Sequence, residues 1–338
     1  MTMLARPEAQ PAERQASSDL VVRRYCAPRD DATWDGLVAR SINGTFLHTR
    51  RFLSYHGDRF DDRSLIVEGA NGKARGILPA AVDPTDTSRV ISHPGITYGG
   101  LVHDGSLYGN RMIDALALAR DVLAASGARH LRYKVVPPIY HRVPAGDDVY
   151  ALFRMGARCV RRDLSATIDL EHRQTVWKRR RQRRRHAAGA DVTVSWTWDD
   201  LGAFWPLQES MLRERFGTRP AHTIEEIAEL ARRFPEQMKL VVARSAGEVV
   251  AGGIIFCAPP VVHLQYSAAS AAGRDMNALD LVVEETIGLA GANPATYRYY
   301  SFGISTEDEG MHLNDSLHEF KLSFGAGAIV YEHFEVDL

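Results

Sequence analysis

The stretches "LIVEGANGKARGIL" (residues 65–78) and "LVVARSAGEVVAGGII" (residues 240–255) decide the fold of this chain, because they read as one hairpin written twice. Alternating apolar residues flank Asn71-Gly72 in the first and Ala246-Gly247 in the second. Asn-Gly between two such runs is a strong short-range hairpin signal, since a tight turn there needs positive φ. Leu65, Val67 and Gly72 fall on Leu240, Val242 and Gly247 with one constant offset. Each hairpin leads into further extended chain and then into a segment of helical period. The first such segment, "NRMIDALALARDVLAASG", sets Met112, Leu116, Ala119 and Leu123 on one stripe. The second, "NALDLVVEETIGLAG", does the same with Leu279, Val282, Val283 and Ile287. Each opens on an asparagine, Asn110 or Asn277, expected to cap the helix. Each is followed by a strand-like run, "ARHLRYKVV" or "ATYRYYSFG". A second constant offset relates Asn110 to Asn277 and Tyr133 to Tyr300. Two units of hairpin, strand, helix and strand predict tandem α/β domains of one type.

Length and composition agree with that plan. At 338 residues the chain has room for about two domains of ordinary size, and 45% hydrophobic residues suffice for two cores. The opening "MTMLARPEAQPAERQASSDL" mixes Pro, Ala, Gln and charge without an apolar run, so residues 1–19 are expected to form a loose arm and not a signal peptide. No run of about 18 apolar residues is present, and no membrane span is expected. Cys26, Cys159 and Cys257 are odd in number and far apart, which fits neither a disulfide framework nor a zinc knuckle and points to a reducing, cytoplasmic setting. Lys plus Arg (41) nearly equal Asp plus Glu (42). A DNA-binding domain carries a basic excess, so DNA is not expected as a partner.

Four further stretches carry a family resemblance across roughly residues 20–338. They are "GTFLHTRRFLSYHGDRF" (44–60), "SHPGITYGGLV" (92–102), "KRRRQRRRHAAGADVTV" (178–194) and, most specific, "EFKLSFGAG" (319–327). In this order they resemble the Fem (FemABX-like) peptidyltransferases and the related BioF2-like acetyltransferases of the GNAT superfamily. The resemblance implies an α/β (α+β) fold of two tandem GNAT-like domains, each a mixed, mostly antiparallel sheet flanked by helices. Expected bounds are 20–170 and 171–338, with a basic helix over 173–188 opening the second and the last strand free to return to the first. Two departures stand out. No long charged heptad segment is present. Neither "GGLVHDGSLYGN" (99–110) nor "AASAAGRDMN" (268–277) matches the Arg/Gln-x-x-Gly-x-Gly/Ala loop usual in coenzyme A users of the superfamily.

The local charge is unusual: "WKRRRQRRRH" (177–186) holds seven Lys and Arg in ten residues. Like charges at i, i+3 and i+4 repel, so a solvated helix face is an incomplete account. A polyanionic ligand for Lys178, Arg179, Arg180, Arg181, Arg183 and Arg184 is expected: coenzyme A phosphates, a nucleotide-sugar pyrophosphate or the end of a tRNA. Lys321 lies between Phe320 and Leu322 at the edge of a packed element, where a snorkelling stem is one reading. The resemblance places it where a lysine assists acyl transfer, as an ammonium steadying an oxyanion. The acidic stretch before it supplies Asp308 and His318 as general-base candidates. His312 and His318 lack HExxH-type spacing, so no metal is expected. His93, Tyr98 and Gly99 in the glycine-rich loop, together with Tyr266 and Phe320, are expected to contact substrate. No G-x-S-x-G or Cys-His grouping supports a covalent nucleophile. The resulting expectation is an N-acyltransferase without a tightly bound cofactor. It uses acyl-CoA or aminoacyl-tRNA as co-substrate and acylates an amine on a small phosphate-bearing precursor. Alternatives are an aminoacyl-tRNA-dependent peptidyltransferase specifically and a non-catalytic RNA- or phosphate-binding protein on a degenerate transferase fold.

Overall fold

The computed structural model of the protein describes residues 19–189 and 191–338, so the expected arm, Asp19 apart, lies outside the described residues. The first half runs β1 (Leu20–Arg24), α1 (Asp31–Arg40), α2 (Arg50–Leu53), β2 (Leu65–Gly69), β3 (Ala74–Leu78), β4 (Ala81–Asp83), β5 (Asp86–Ile91), β6 (Val102–His103), α3 (Asn110–Ala125), β7 (His130–Lys134), α4 (Asp147–Arg154) and β8 (Arg158–Asp169). The second runs α5 (Lys178–Gly189), β9 (Thr193–Trp196), α6 (Leu201–Phe216), α7 (Ile224–Arg233), β10 (Met238–Ser245), β11 (Glu248–Ala258), β12 (Val261–Ala269), α8 (Ala271–Asp275), α9 (Ala278–Gly291), β13 (Tyr299–Ile304), β14 (Thr306–Glu307), β15 (His312–Leu313), α10 (Asp315–Leu322) and β16 (Gly327–Asp337).

Both hairpins form. Leu65 pairs with Leu78 in the β2–β3 ladder, and Ser245 with Glu248 in the β10–β11 ladder. Ala246 and Gly247 both take positive φ, 49° and 84°, the combination a two-residue turn matching strand twist demands. The helical stripes are buried as their period requires, with Met112, Leu116, Ala119 and Leu123 in one core and Val282, Val283 and Ile287 in the other half's cores. The asparagine caps are different from expectation. Gly109, not Asn110, takes the N-cap position of α3, and Asn277 precedes α9 in a left-handed conformation with no side-chain cap bond.

The halves share one architecture. An antiparallel hairpin leads to a strand, a helix crosses over, and a strand returns parallel. In the first half β5 and β7 pair over Arg89–Ile91 and His130–Arg132; in the second β12 and β13 pair over Val261–His263 and Tyr299–Ser301. Beyond those residues each pair parts. The halves then exchange their last strands: β8 lies against β13 of the second half, and β16 is inserted between β7 and β8. A ten-stranded sheet therefore runs β4-β5-β7-β16-β8-β13-β12-β11-β10-β9 through both halves, beside a four-stranded sheet β1-β2-β3-β6. Among the described residues no helix is long and apolar enough to cross a membrane.

Helix α5 begins later than expected, at Lys178, because the residues before it bond as extended chain to the turn after α10. Gln174 N donates to Gly325 O at 3.1 Å, and Trp177 N to Ser323 O at 3.1 Å. One basic side chain of α5 points inward. Arg180 is buried, with its guanidinium over Phe320 and Phe324 at 4.6 and 4.3 Å, Nε on Ser323 Oγ at 3.0 Å, and an ion pair to buried Asp280 of α9. It fastens the basic helix to α9 and α10. Removing one partner of such a pair strands the other charge, at a cost of about 3–5 kcal/mol. Arg180→Met is expected to lose stability of that order in urea unfolding, and Arg180→Met/Asp280→Leu to recover most of it.

Candidate active site

Where β12 and β13 part, the sheet opens. A cavity of about 1010 Å³ lies there, walled by the diverging strands and by α5, α6, α8, α9 and α10. Its floor is the β12 edge from Leu264 to Ala269 and Phe302 and Ile304 of β13. A second cavity of about 410 Å³ shares Leu264, Gln265, Phe302 and Ile304 with the first and extends toward the seam of β7, β16 and β8. The parted strands thus separate two chambers.

Lys321 lines the large cavity at this opening. It is 7% exposed, and its Nζ donates to Gly303 O at 3.0 Å and to Ile304 O, both at the end of β13. Burial pushes its ammonium down to about 7. Two of its three N–H bonds are engaged in the protonated form, leaving one for a ligand. The surrounding motif has a mechanical reason for each residue. Phe320 and Phe324 hold Arg180. Gly325 sits at φ 86°, where a Cβ would lie 2.3 Å from Gln174 O, so only glycine lets the chain before α5 press against this turn.

Arginines rim the large cavity: Arg179 and Arg183 from α5, Arg215 from α6 and Arg274 from α8. Arg179 also pairs with Glu319 at 3.2 Å. Tyr266 and Phe320 line the wall, and the Tyr266 hydroxyl meets His222 Nδ1 at 2.6 Å. The Oε1 atoms of Gln208, which is 2% exposed, and of Gln265 have no partner among the described residues. Both residues line this cavity.

The structure divides the other expected site residues. Arg181 and Arg184 border a separate small groove with Arg173 and Arg185, and Lys178 is exposed outside both chambers. Arg180 touches the cavity wall, but its charge is committed to Asp280. Asp308 is exposed on the turn between β14 and β15, and His318 faces Ser305 with Nδ1 3.3 Å from Oγ; neither borders the two chambers.

The glycine-rich loop fills the parting of β5 and β7 in its own half, and His93, Tyr98 and Gly99, expected to contact substrate, pack there within the protein. Gly99 N donates to Lys134 O, and a Cβ on Gly99 would lie 1.7 Å from Ser92 O. Tyr98 is buried, bonding Thr45 Oγ1 at 3.2 Å and packing on Tyr140, and His93 packs on His56 and Phe60. Lys134 ties this plug down through His93 O and Ile96 O, leaving Ile96 and Thr97 to border the smaller chamber.

Sequence reasoning missed the residues of that chamber: Lys134, Arg161, Asp163, His263, Tyr331 and His333. A signal existed. In "RRDLSAT", "VVHLQYS" and "VYEHF" polar residues recur at every second position, a set that falls on one face of a strand. Burial holds the His263 imidazole down to about 4, so it is neutral at physiological pH, and its Nδ1 lies 3.2 Å from Ser301 Oγ. Asp169, Glu171 and His172 bring their ligand atoms within 4.8 Å of one another at the turn after β8, with Glu171 and His172 exposed, an arrangement common without an ion.

Residues 171–311 match the family described as acetyltransferase (GNAT) domain. No curated protein matches the sequence. Among solved structures the chain is similar to FemX, at 13% identity and a TM-score of 0.65 over 94% of this chain and 97% of that one. It is similar to L-PGS from Bacillus licheniformis at 12% identity and a TM-score of 0.55, over 84% and 85% of the two chains. A tandem GNAT protein from the clavulanic acid biosynthesis pathway matches at 10% identity and a TM-score of 0.52, over 94% and 98%. Identities this low concern the fold, while the domain match concerns the half that holds the open cavity. The chain thus carries a match to a GNAT acetyltransferase domain over residues 171–311 and shares the tandem fold of these structures.

Proposed function

We propose that the protein is an N-acyltransferase whose phosphate-bearing donor occupies the large cavity and whose amine acceptor reaches the acyl group through the parted strands. The observation that carries this reading is the pair of chambers sharing Leu264, Gln265, Phe302 and Ile304, with Lys321 at their junction. Phosphates rest against Arg179, Arg183, Arg215 and Arg274 at the rim, on the donor's side of the opening. The expected phosphate on the acceptor is therefore not needed to explain the basic helix.

Chemistry follows from the geometry. The neutral amine attacks the carbonyl carbon of the donor's ester or thioester. A C–N bond forms, and the carbonyl pair moves onto oxygen, where the third N–H of protonated Lys321 stabilises it. The C–O or C–S bond then breaks, and the proton lost by the amine ends on the leaving oxygen or sulfur. No covalent enzyme intermediate is involved.

Acyl-CoA and aminoacyl-tRNA share this phosphate chemistry. The tRNA reading is favoured by one observation: α5 turns Arg181, Arg184 and Arg185 away from the cavity, more cations than a pyrophosphate needs. A titration of binding against salt separates the two. A single-stranded RNA end contributes a slope of about −0.7 per phosphate contact, whereas a coenzyme A donor gives a shallow slope and binds without α5's outward face. Arg183→Gln is expected to raise the KM for the donor roughly tenfold or more, since a charged hydrogen bond is worth about 1.5–3 kcal/mol, while kcat holds.

Lys321→Ala is expected to lower kcat by about 10²–10³ in a folded protein, the usual effect of losing an oxyanion donor. Because burial holds the ammonium at about 7, its protonated population falls as pH rises through that value. The deficit of the variant relative to wild type is therefore full at pH 6 and shrinks toward pH 9. A constant deficit across that range, or wild-type turnover in the variant, removes Lys321 from the reaction.

A further inference from the structure

The smaller chamber is lined by more cationic side chains than carboxylates: Lys134 and Arg161 against Asp163. Lys134 on β7, His333 on β16 and Arg161 on β8 stand directly opposite one another across three adjacent strands. Side chains at opposed positions share one face of the sheet, and neighbouring strands lie about 4.8 Å apart, so Lys134 and Arg161, on either side of His333, stand roughly 10 Å from each other. One position along, Tyr331 stands opposite Asp163 on that same face. Lys134, Asp163 and Tyr331 are each at most 8% exposed.

Asp163 is the one buried carboxylate in the wall, and it is taken. Arg161 grips it with Nε at 2.7 Å and Nη2 at 3.3 Å, and Thr306 Oγ1 donates to it at 2.8 Å. Exposed Glu309 approaches Arg161 only to 3.9 Å. The Lys134 ammonium meets two main-chain carbonyls and no carboxylate. Burial lowers it to about 7, and His333, pressed by burial and by the charges of Lys134, Arg161 and Arg132, is held down to about 3. A site that suppresses two cations has room for an anion. At about 410 Å³ it falls at the small end of ligand pockets.

We infer that this chamber takes a small amine carrying a carboxylate, of amino-acid size, with the carboxylate between Lys134 and Arg161 and the amino group toward Gly303 and Ile304 at the parted strands. The inference rests on the acyl-transfer reading above and names its acceptor class. His263 then borders the amino group as a neutral polar neighbour, and Tyr331 the middle of the ligand.

Glycine, β-alanine and γ-aminobutyrate test it, each beside its carboxamide, with O-phosphoethanolamine as the phosphate arm. Transfer is followed with acetyl-CoA and, separately, with aminoacylated bulk tRNA, and binding of the same amines is followed by calorimetry without donor. The expected result is a preference of at least about tenfold for carboxylates over carboxamides, with the best chain length marking the distance from the cations to the parted strands. Arg161→Gln and Lys134→Gln should each erase the preference. Arg161→Gln/Asp163→Asn serves the same purpose should Arg161→Gln, which strands Asp163, fail to fold. Carboxamides used as well as carboxylates, or a preference for the phosphate, overturns the inference and leaves acyl transfer standing. Carboxylate binding that the variants abolish, without transfer from either donor, supports the anion site and counts against the acyl-transfer reading.

Discussion

The exchange of terminal strands is the constraint on which the rest depends. Strand β16 leaves the second half to pair with β7, while β8 leaves the first to pair with β13, and the two meet along a ladder from Gly327–Thr167 to Glu335–Arg158. Register fixes what each position faces, because a slip of one residue would turn every side chain to the other side. In this register Lys134, Arg161, Asp163, Tyr331 and His333 fall on one face, drawn from both halves. The next residues on that face, Thr167, Ser301 and His263, continue the polar row into β13 and β12. Neither half alone supplies the smaller chamber.

The second determinant is an asymmetry between two copies of one architecture. Both halves part a parallel strand pair after three bonded residues. In the first the gap is filled by the loop at 92–100, and the buried lysine there spends its hydrogen bonds on that loop. In the second the gap stays open, and Lys321, reaching in from α10, bonds the end of β13 instead. Each lysine is desolvated and held near 7 by burial. One therefore secures a plug and borders the seam, while the other stands at the passage.

Much of this was legible in the sequence. The two constant offsets, Leu65 to Leu240 and Asn110 to Asn277, defined equivalent units because hairpin turns and amphipathic helices have local signatures that survive divergence. The motif at 319–327 pointed to Lys321. The basic run suggested an anionic ligand, yet its geometry was hidden: a helix facing solvent and one holding an arginine between two phenylalanines have the same composition. The glycine-rich loop misled for a related reason, since glycine permits close approach of backbone to a ligand or, as at Gly99, to the protein's own carbonyl. The seam chamber was beyond reach because it depends on pairing between strands from different halves of the chain, such as His333 with Lys134, and strand order is a tertiary property. Only the alternation of polar residues along β8, β12 and β16 hinted at it.

The central claim is that donor and acceptor meet through the opening between β12 and β13. Blocking that opening without touching either set of charges tests it most directly. Gln265 is shared by the two chambers and only partly buried, so Gln265→Trp fills the passage with little cost to the core. The account predicts donor affinity within about twofold of wild type, a loss of about 0.4 kcal/mol or less, together with acyl transfer reduced by about two orders of magnitude. Transfer at the wild-type rate in the folded variant would contradict it and place the reaction elsewhere on the fold.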